Sequence, residues 1–135
     1  MTQLRIAEVA ALLRVSDDTV RRWVDAGRLA ATTDERAQRR VIPGEEVARF
    51  LREQRTSGDT GPLSSARNRF DGIVTDVQRD GLVAQVEIQA GPFRVVSLMT
   101  REAVDELGLE PGSLASAVVK ATTVIVEARR DRDGA

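Results

Sequence analysis

One short stretch of the chain combines residue types that can bind a small anion. Residues 65–70 read Ser-Ala-Arg-Asn-Arg-Phe, which supplies a hydroxyl, small side chains and guanidinium groups. Successive backbone N–H groups and a fixed cation together hold a compact dianion better than either does alone. The same stretch is also an ordinary polar entry to a strand, and taken alone it favours that simpler interpretation. The oxyanion hypothesis therefore depends on the rest of the C-terminal half.

A second group of candidates lies in the N-terminal half and is rich in arginine. Arg21 and Arg22 are adjacent in a predicted helix and about 100° apart, so at most one can point fully into a DNA groove while the other reaches a phosphate. The start of that helix is a place where base edges or phosphates are met. The alternative is a solvated basic surface. The candidate DNA-contacting residues are Ser16, Asp17, Thr19, Arg21, Arg22, Arg28, Arg36, Arg39 and Arg40.

The composition excludes several classes of chemistry. The 135 residues include no Cys and no His, which removes disulfides, Cys/His zinc sites, Cys nucleophiles and His general bases. Without these residues no catalytic metal cluster or His-activated nucleophile can be assembled, and only carboxylate chemistry stays open. We therefore predict a binding protein and not an enzyme.

Charge separates the chain into two unlike halves. Residues 1–55 carry 11 Arg against 9 Asp and Glu, giving +2, whereas residues 56–135 carry 9 basic and 12 acidic residues, giving −3. The basic half is the one suited to an anionic polymer. No apolar run approaches the ~20 residues of a membrane-spanning helix, and the N-terminus lacks the apolar core of a signal peptide. We expect a soluble, cytoplasmic protein.

Apolar spacing predicts a helical N-terminal domain. Ser16 is a natural N-cap for the second helix, and Gly27 supplies its stop. Trp23 shares a face with Val20, which indicates a core position and not a base-stacking one. Two short helices joined by a tight turn suggest a helix-turn-helix, and a generic helical hairpin is the alternative. The predicted segments are helices over 4–13 and 17–26, a hairpin wing over 29–42, and a third helix from Pro43 to about Gln54.

Alternating apolar residues predict a β-rich C-terminal domain. Asp80-Gly81 is a hairpin signal, and Thr100 can cap a short helix that Gly108 ends. Several short strands and one helix fit a small OB-like barrel, so the predicted fold class is α+β with two domains. The predicted strands are 70–78, 82–89, 93–99, 114–120 and 123–128, the helix is 101–107, the linker is 56–63 and the disordered tail is 129–135.

An ordered set of short sequence blocks lies along the C-terminal half. The blocks are Ser65-Ala66-Arg67-Asn68, Gly72-x-Val74, Ala84-x-Val86-x-Ile88, Thr100, Val104-x-x-Leu107-Gly108-Leu109 and Lys120-Ala121-Thr122-x-Val124. With them, residues 64–127 resemble the Mop, or molbindin-like, domain. In that family the domain binds molybdate, and often tungstate, and its sites form between subunits, so the resemblance implies a homo-oligomer.

This resemblance also implies the oxyanion ligands. The chain's one lysine falls where the family pattern has its lysine. Ala103 stands where the family commonly has a serine, so one hydroxyl donor is missing, and such a bond to a charged group is worth roughly 1.5–3 kcal/mol. The implied oxyanion-binding residues are Ser65, Ala66, Arg67, Thr100, Lys120, Ala121 and Thr122.

The N-terminal half carries a second ordered set of sequence blocks. The blocks are Ile6-Ala7-Glu8-Val9-Ala10, Leu12, Val15-Ser16, Thr19-Val20-Arg21-Arg22-Trp23, Gly27-Arg28-Leu29 and Arg39-Arg40. With them, residues 4–52 resemble the MerR/excisionase type of winged helix-turn-helix. In that family the second helix enters the major groove and the β-wing contacts the DNA backbone.

Together the two resemblances imply a transcriptional regulator. Residues 1–55 are expected to bind double-stranded DNA, and residues 64–128 to sense molybdate or tungstate and to set the oligomeric state. One alternative is a molybdate or tungstate storage oligomer in which the helix-turn-helix half serves mainly assembly. Another is a constitutive DNA-binding protein whose Mop-like half only oligomerises.

Overall fold

A computed structural model describes residues 2–55 and 63–129 of the chain. These residues divide into two compact units, one within 2–55 and one within 63–128, and each has its own hydrophobic core. The predicted fold class, α+β in two domains, is confirmed. The predicted linker and disordered tail lie outside the described residues except for Leu63 and Arg129.

The N-terminal unit combines three helices with a small antiparallel sheet. Its first helix begins at Ile6 and not at the predicted Leu4, because Leu4 pairs with Ile42 in a short strand. The strand order in this sheet is first, third, second. The elements are β1 (Gln3–Arg5), α1 (Ile6–Leu13), α2 (Asp17–Asp25), β2 (Thr32–Asp34), β3 (Arg39–Pro43) and α3 (Gly44–Gln54).

The turn between α1 and α2 is three residues long and is held by local hydrogen bonds. Arg14 adopts a left-handed conformation, with φ 58°, and the Val15 N–H donates to the Ala10 carbonyl at 3.0 Å. Ser16 Oγ accepts from the Thr19 N–H at 3.1 Å, which confirms the predicted N-cap of α2. The turn therefore sets the angle at which α2 leaves α1.

The predicted wing is a hairpin whose first strand starts later than expected. The strand begins at Thr32, because Leu29 is buried in the core instead of pairing with β3. The four-residue turn between β2 and β3 places Gln38 at φ 51°, the left-handed region that glycine usually fills. Trp23 packs against the same core, with its ring 4.8 Å from that of Phe50, so its predicted core role is confirmed.

An ionic network joins α3 to the loop that follows α2. Glu46 Oε2 accepts from the Ala30 N–H at 2.8 Å, and Arg49 Nη2 donates to the Arg28 carbonyl at 3.0 Å. Arg49 also contacts Glu46 and Glu53, at 2.5 Å and 2.9 Å. The hydrogen bond from Arg49, followed by that from the Ala30 N–H, lowers the pKa of Glu46 from 4.5 to about 2. The charged carboxylate therefore helps hold the loop after α2 against α3.

Acid is expected to weaken this unit through Glu46. A carboxyl group whose pKa is lower in the folded state than in the unfolded state stabilises the fold at pH values above its unfolded pKa. This stabilisation is lost as the pH falls towards the folded pKa. The loss should run from about pH 4.5 towards pH 2. Glu46→Gln should lower stability at pH 7, and the difference from the parent should shrink below pH 4.5. Urea unfolding followed by Trp23 fluorescence, the chain's one tryptophan, measures this.

Glu45→Gln is the matched control, because Glu45 is an exposed carboxylate on the same helical turn. It should leave the pH dependence of the parent intact. A Glu46→Gln variant that stays equally destabilised at pH 3 and pH 7 would contradict the role of the charged network.

The C-terminal unit is a four-stranded antiparallel sheet with one short helix. When the strands are numbered in chain order, they lie across the sheet in the order third, second, first, fourth. The long first strand is paired on both sides. Val74, Val86 and Val104 are its largest fully buried side chains. The elements are β4 (Asn68–Asp80), β5 (Val83–Ala90), β6 (Phe93–Thr100), α4 (Arg101–Leu107) and β7 (Leu114–Val119).

The predicted fifth strand, 123–128, is wrong for the single chain. Residues Ala121–Thr123 form a 3-10 turn, and the residues from Val124 to Arg129 join no strand. Their apolar, β-branched character favours a strand, but a strand forms only where a neighbour accepts its hydrogen bonds. In the described chain this segment pairs with none of the four strands of the sheet.

Gly72 lies where the backbone of β4 passes close to the end of β5. A Cβ built at this position would lie 2.2 Å from the Gln89 carbonyl oxygen and 3.0 Å from the Ala90 Cα. Backbone atoms on a paired strand cannot yield to a side chain without distorting the ladder. The glycine therefore keeps β4 in contact with β5 and β7 together.

Candidate functional site

The exposed face of α2 is the first candidate site. Val20 is fully buried, and Arg22, two residues further, lies about 160° away around the helix at 100° per residue. Arg21 lies about 100° from Val20, on the flank of the same face. Both arginines are exposed, and Arg22 is the one that faces most directly away from the core.

Local hydrogen bonds order this face. Arg22 Nη2 donates to Thr19 Oγ1 at 3.3 Å, and Arg21 Nη1 contacts Asp18 Oδ1 at 3.0 Å. The Ser16 hydroxyl is engaged as the helix cap and lies 2.9 Å from Thr19 Oγ1. Ser16 thus positions the start of the helix, and the guanidinium groups remain the parts that extend into solvent. Asp17 is exposed in the first turn.

The remaining predicted DNA contacts lie after α2 and on the wing. Arg40 Nη2 contacts Asp25 Oδ1 at 3.4 Å, which places β3 beside the end of α2. Arg28 lies over the Phe50 ring, 5.4 Å from its centre, so it has a packing role as well as a charge. Arg36 lies in the hairpin turn, where its N–H donates to Asp34, and Arg39 begins β3 exposed. The structure thus brings the helix and wing arginines into one unit.

The second candidate site lies where β4 begins and β7 ends. Asn68 pairs with Val119 in the antiparallel register, so the residues before Asn68 and after Val119 lie at the same end of the sheet. The Asn68 side-chain amide also donates to the Val119 carbonyl at 3.1 Å. Arg67 and Lys120 are therefore the residues that flank the last pair of this register. The predicted oxyanion residues at this end are Ser65, Ala66, Arg67, Lys120, Ala121 and Thr122.

Two residues at this end were not predicted as functional. Ser64 Oγ accepts from the Ala66 N–H at 3.1 Å, and the Ser64 carbonyl accepts from Arg67 Nη1 at 3.1 Å. Asn68, which stands inside the quoted motif, ties the two polypeptide segments together through Val119. The only sequence signal for Asn68 was its place in the motif Ser65-Ala66-Arg67-Asn68. No feature of the sequence indicated a role for Ser64.

The turn after β7 shapes the lysine side of this site. The Lys120 carbonyl accepts from the Thr123 N–H at 3.0 Å and from Thr123 Oγ1 at 2.9 Å. Because the N–H groups of Ala121 and Thr122 are the first of the turn, no carbonyl of the turn accepts from them. Lys120, Ala121 and Thr122 are all exposed. The turn therefore presents two exposed residues whose backbone N–H groups have no acceptor within the turn.

Thr100 is the one predicted oxyanion residue that the structure places elsewhere. It pairs with Val83, and Val83 pairs with Asp80 at the far end of β4. Asn68 and Asp80 are the two ends of the 13-residue strand β4, so they lie roughly 40 Å apart along the strand. Thr100 Oγ1 accepts from the Ala103 N–H at 3.1 Å and caps α4. Within one chain, the predicted oxyanion ligands thus form two groups at opposite ends of the sheet.

Within residues 2–55 and 63–129 no group of three or more acidic side chains is close enough to hold a metal ion. The helices described there are too short or too polar to cross a membrane.

Comparisons with known proteins match the two units separately. A family model described as a helix-turn-helix domain matches residues 4–55, and one described as a TOBE domain matches residues 64–126. Molybdenum-pterin-binding protein 2 of Clostridium pasteurianum is 35% identical over 63 residues, which cover 46% of this chain and 93% of that protein. The molybdenum transport protein ModE of Herbaspirillum seropedicae is 37% identical over 68 residues, covering 50% of this chain and 25% of that protein.

A solved structure also matches. It is that of the cytoplasmic molybdate-binding protein ModG with molybdate bound, at 39% identity, with a TM-score of 0.46 and coverage of 52% of this chain and 50% of that chain.

Proposed function

Because the chain belongs, through its C-terminal unit, to the family of the molybdenum-pterin-binding proteins, we propose that it is a DNA-binding transcriptional regulator that senses molybdate or tungstate. The observation that carries this proposal is the pairing of Asn68 with Val119, which sets Arg67, Lys120 and two turn N–H groups at one end of the sheet. The same chain carries a helix-turn-helix with an exposed arginine face.

The chemistry of the sheet end suits a tetrahedral dianion. Such an ion needs several hydrogen-bond donors and positive charge that converge on it. Lys120 and Arg67 supply charge, Ser65 and Thr122 supply hydroxyls, and the turn supplies backbone N–H groups. We assign molybdate or tungstate as the ligand on this donor set and on the relatives' printed names.

We propose further that the complete site needs a second copy of the chain. Thr100 and Lys120 lie at opposite ends of the sheet, so one copy cannot offer both to a single ion. A homo-oligomer in which the Thr100 end of one copy meets the Lys120 end of another supplies the full ligand set. The numerous exposed apolar side chains of this unit support such an assembly.

The N-terminal unit is proposed to bind double-stranded DNA with α2 in the major groove. The cap at Ser16, the exposed Arg22 and the wing held beside α2 by Arg40 support this docking. The hairpin that follows α2 also supports the finer assignment to the MerR/excisionase type.

The decisive experiment measures binding of the full-length chain to DNA from its own promoter region, with and without molybdate. Coupling between two sites is typically worth about 1–3 kcal/mol, so molybdate should change DNA affinity by about fivefold or more. Sulfate at the same concentration is the control for ionic strength, since DNA binding depends on salt.

Two results would overturn the regulatory proposal. Tight molybdate binding without any DNA binding would identify a storage or buffering oligomer. DNA binding that molybdate leaves unchanged would identify a constitutive DNA-binding protein.

A further inference from the structure

The connection between α2 and the wing, residues 26–31, is held by polar side chains of α3. Arg49 and Glu46 form a two-point pair, in which Arg49 Nε and Nη2 contact the two carboxylate oxygens at 2.5 Å and 3.0 Å. The same Nη2 donates to the Arg28 carbonyl at 3.0 Å, and the same Glu46 Oε2 that it contacts accepts from the Ala30 N–H at 2.8 Å. These linked contacts of Arg49 and Glu46 with Arg28 and Ala30 are here called the α3 clamp.

The α3 clamp acts on a backbone that is already fixed on its other side. Leu29, which lies between the two clamped residues, has a fully buried side chain. The N–H groups of Arg28 and Leu29 donate to the Trp23 carbonyl at 2.9 Å and 3.3 Å, so the connection is tied to the last turn of α2. Three consecutive residues are therefore attached to α2, to the core and to α3.

Both strands of the wing are anchored on α3. β3 ends at Pro43 and α3 begins at Gly44, so the second strand of the wing runs directly into the helix. The first strand, β2, begins at Thr32, two residues after the clamped Ala30. The chain itself therefore anchors one strand of the wing, and the α3 clamp anchors the other.

We infer that Arg49 is a positioning residue for DNA binding, which holds the wing at the angle at which the wing and α2 reach one duplex together. The inference rests on the proposed DNA-binding function and adds a residue that belongs to neither α2 nor the wing. Groups that bind one ligand must be held to within roughly 0.5 Å of their productive geometry. The rigid fork of a guanidinium meets the Glu46 carboxylate and the Arg28 carbonyl at fixed angles, which a lysine ammonium does not reproduce.

Arg49→Lys tests the inference, because it keeps the positive charge and removes the fork. The full-length chain is titrated with DNA from its own promoter region at constant salt. The affinity for DNA should fall at least about threefold, because contacts of the wing with phosphates are weakened while the net charge is unchanged. Arg52→Lys is the matched control, since Arg52 is an exposed arginine in the last turn of the same helix, and it should bind DNA as the parent does.

A double-mutant cycle separates positioning from direct contact. Arg39 begins β3 and is exposed, so it reports on the wing. Arg39→Ala should cost at least about threefold less in DNA affinity in the Arg49→Lys background than in the parent, because a displaced wing has already lost that contact. Arg22→Ala, on α2, should cost the same factor in both backgrounds. Independent effects of Arg49→Lys and Arg39→Ala would overturn the inference.

Hydrogen exchange on the same full-length variants without DNA provides a second test. The Ala30 amide should exchange at least about tenfold faster in Arg49→Lys than in the parent, whereas the amides of Trp23 and Val24 in α2 should keep the rates of the parent. An unchanged rate at Ala30 would overturn the inference. A uniform acceleration through the whole unit would also overturn it, because it would show a general loss of stability.

The two tests also distinguish this inference from the proposed function. A parent chain that binds no DNA would overturn the proposed function and the inference together. A parent chain that binds DNA, with an Arg49→Lys variant that binds it equally well, would overturn the inference alone.

Discussion

Replacement of Lys120 by alanine is expected to lower the affinity for molybdate at least tenfold, which is about 1.4 kcal/mol or more. Lys120 is the chain's one lysine, and it and Arg67 flank the last strand pair at the end of the sheet where the exposed turn begins. Its removal withdraws a charge and leaves a hydrogen-bond position empty in a site that an ion partly dehydrates. Titration calorimetry on the parent and the variant measures the loss.

Two controls make this result specific. Arg52→Ala removes one positive charge from the other unit and should leave molybdate affinity unchanged. Sulfate should bind the parent weakly, because its oxygens span a smaller tetrahedron than those of molybdate. If Lys120→Ala binds molybdate as the parent does, or if the parent binds sulfate equally well, this end of the sheet is not a molybdate site.

The second large effect is expected at Arg22. It faces almost directly away from the buried Val20, so it is the arginine of α2 best placed to reach base edges. Arg22→Ala should weaken binding to the preferred DNA sequence by roughly 1–3 kcal/mol and relax sequence preference. Arg21→Ala should weaken binding to all DNA sequences alike, because Arg21 lies on the flank of the face and is placed to contact a phosphate. The salt dependence of DNA binding should fall by about the amount that one phosphate contact contributes.

Arg79→Ala is the matched control for Arg21→Ala. Both arginines are exposed, and each contacts one carboxylate: Arg79 contacts Asp105 at 3.2 Å, and Arg21 contacts Asp18 at 3.0 Å. Arg79, however, belongs to the C-terminal unit. DNA binding should be unaffected by its removal. Parent-like binding by both Arg21→Ala and Arg22→Ala at physiological salt would show that α2 is not the reading helix.

Local signals in the sequence were sufficient for most of the helices and turns. The cap at Ser16 and the apolar spacing of Val20 and Trp23 predicted α2 to within one residue, because capping and helical periodicity act over a single turn. The helix from Arg101 to Leu107 was predicted with its observed bounds, because Thr100 and Gly108 mark both ends.

Features that depend on residues far apart in the chain could not be predicted from local sequence patterns. The predicted fifth strand failed because strand formation needs a partner, and residue types alone do not show whether one is available in the same chain. The contact of Glu46 with the Ala30 N–H joins residues 16 apart and has no local signature. The separation of Thr100 from Lys120 follows from strand register, which spacing along the chain does not reveal.

The separation of the two predicted ligand groups along β4 decides how ion sites are shared in the proposed homo-oligomer. In that proposal each chain, with Lys120 and Thr100 at opposite ends of a 13-residue strand, contributes half of one site and half of another. In a closed assembly every half is matched, and the number of complete sites equals the number of chains. An open chain of subunits leaves one unmatched half at each end. Because the ion then binds only across a junction, its apparent affinity rises with protein concentration, and the ion in turn favours assembly.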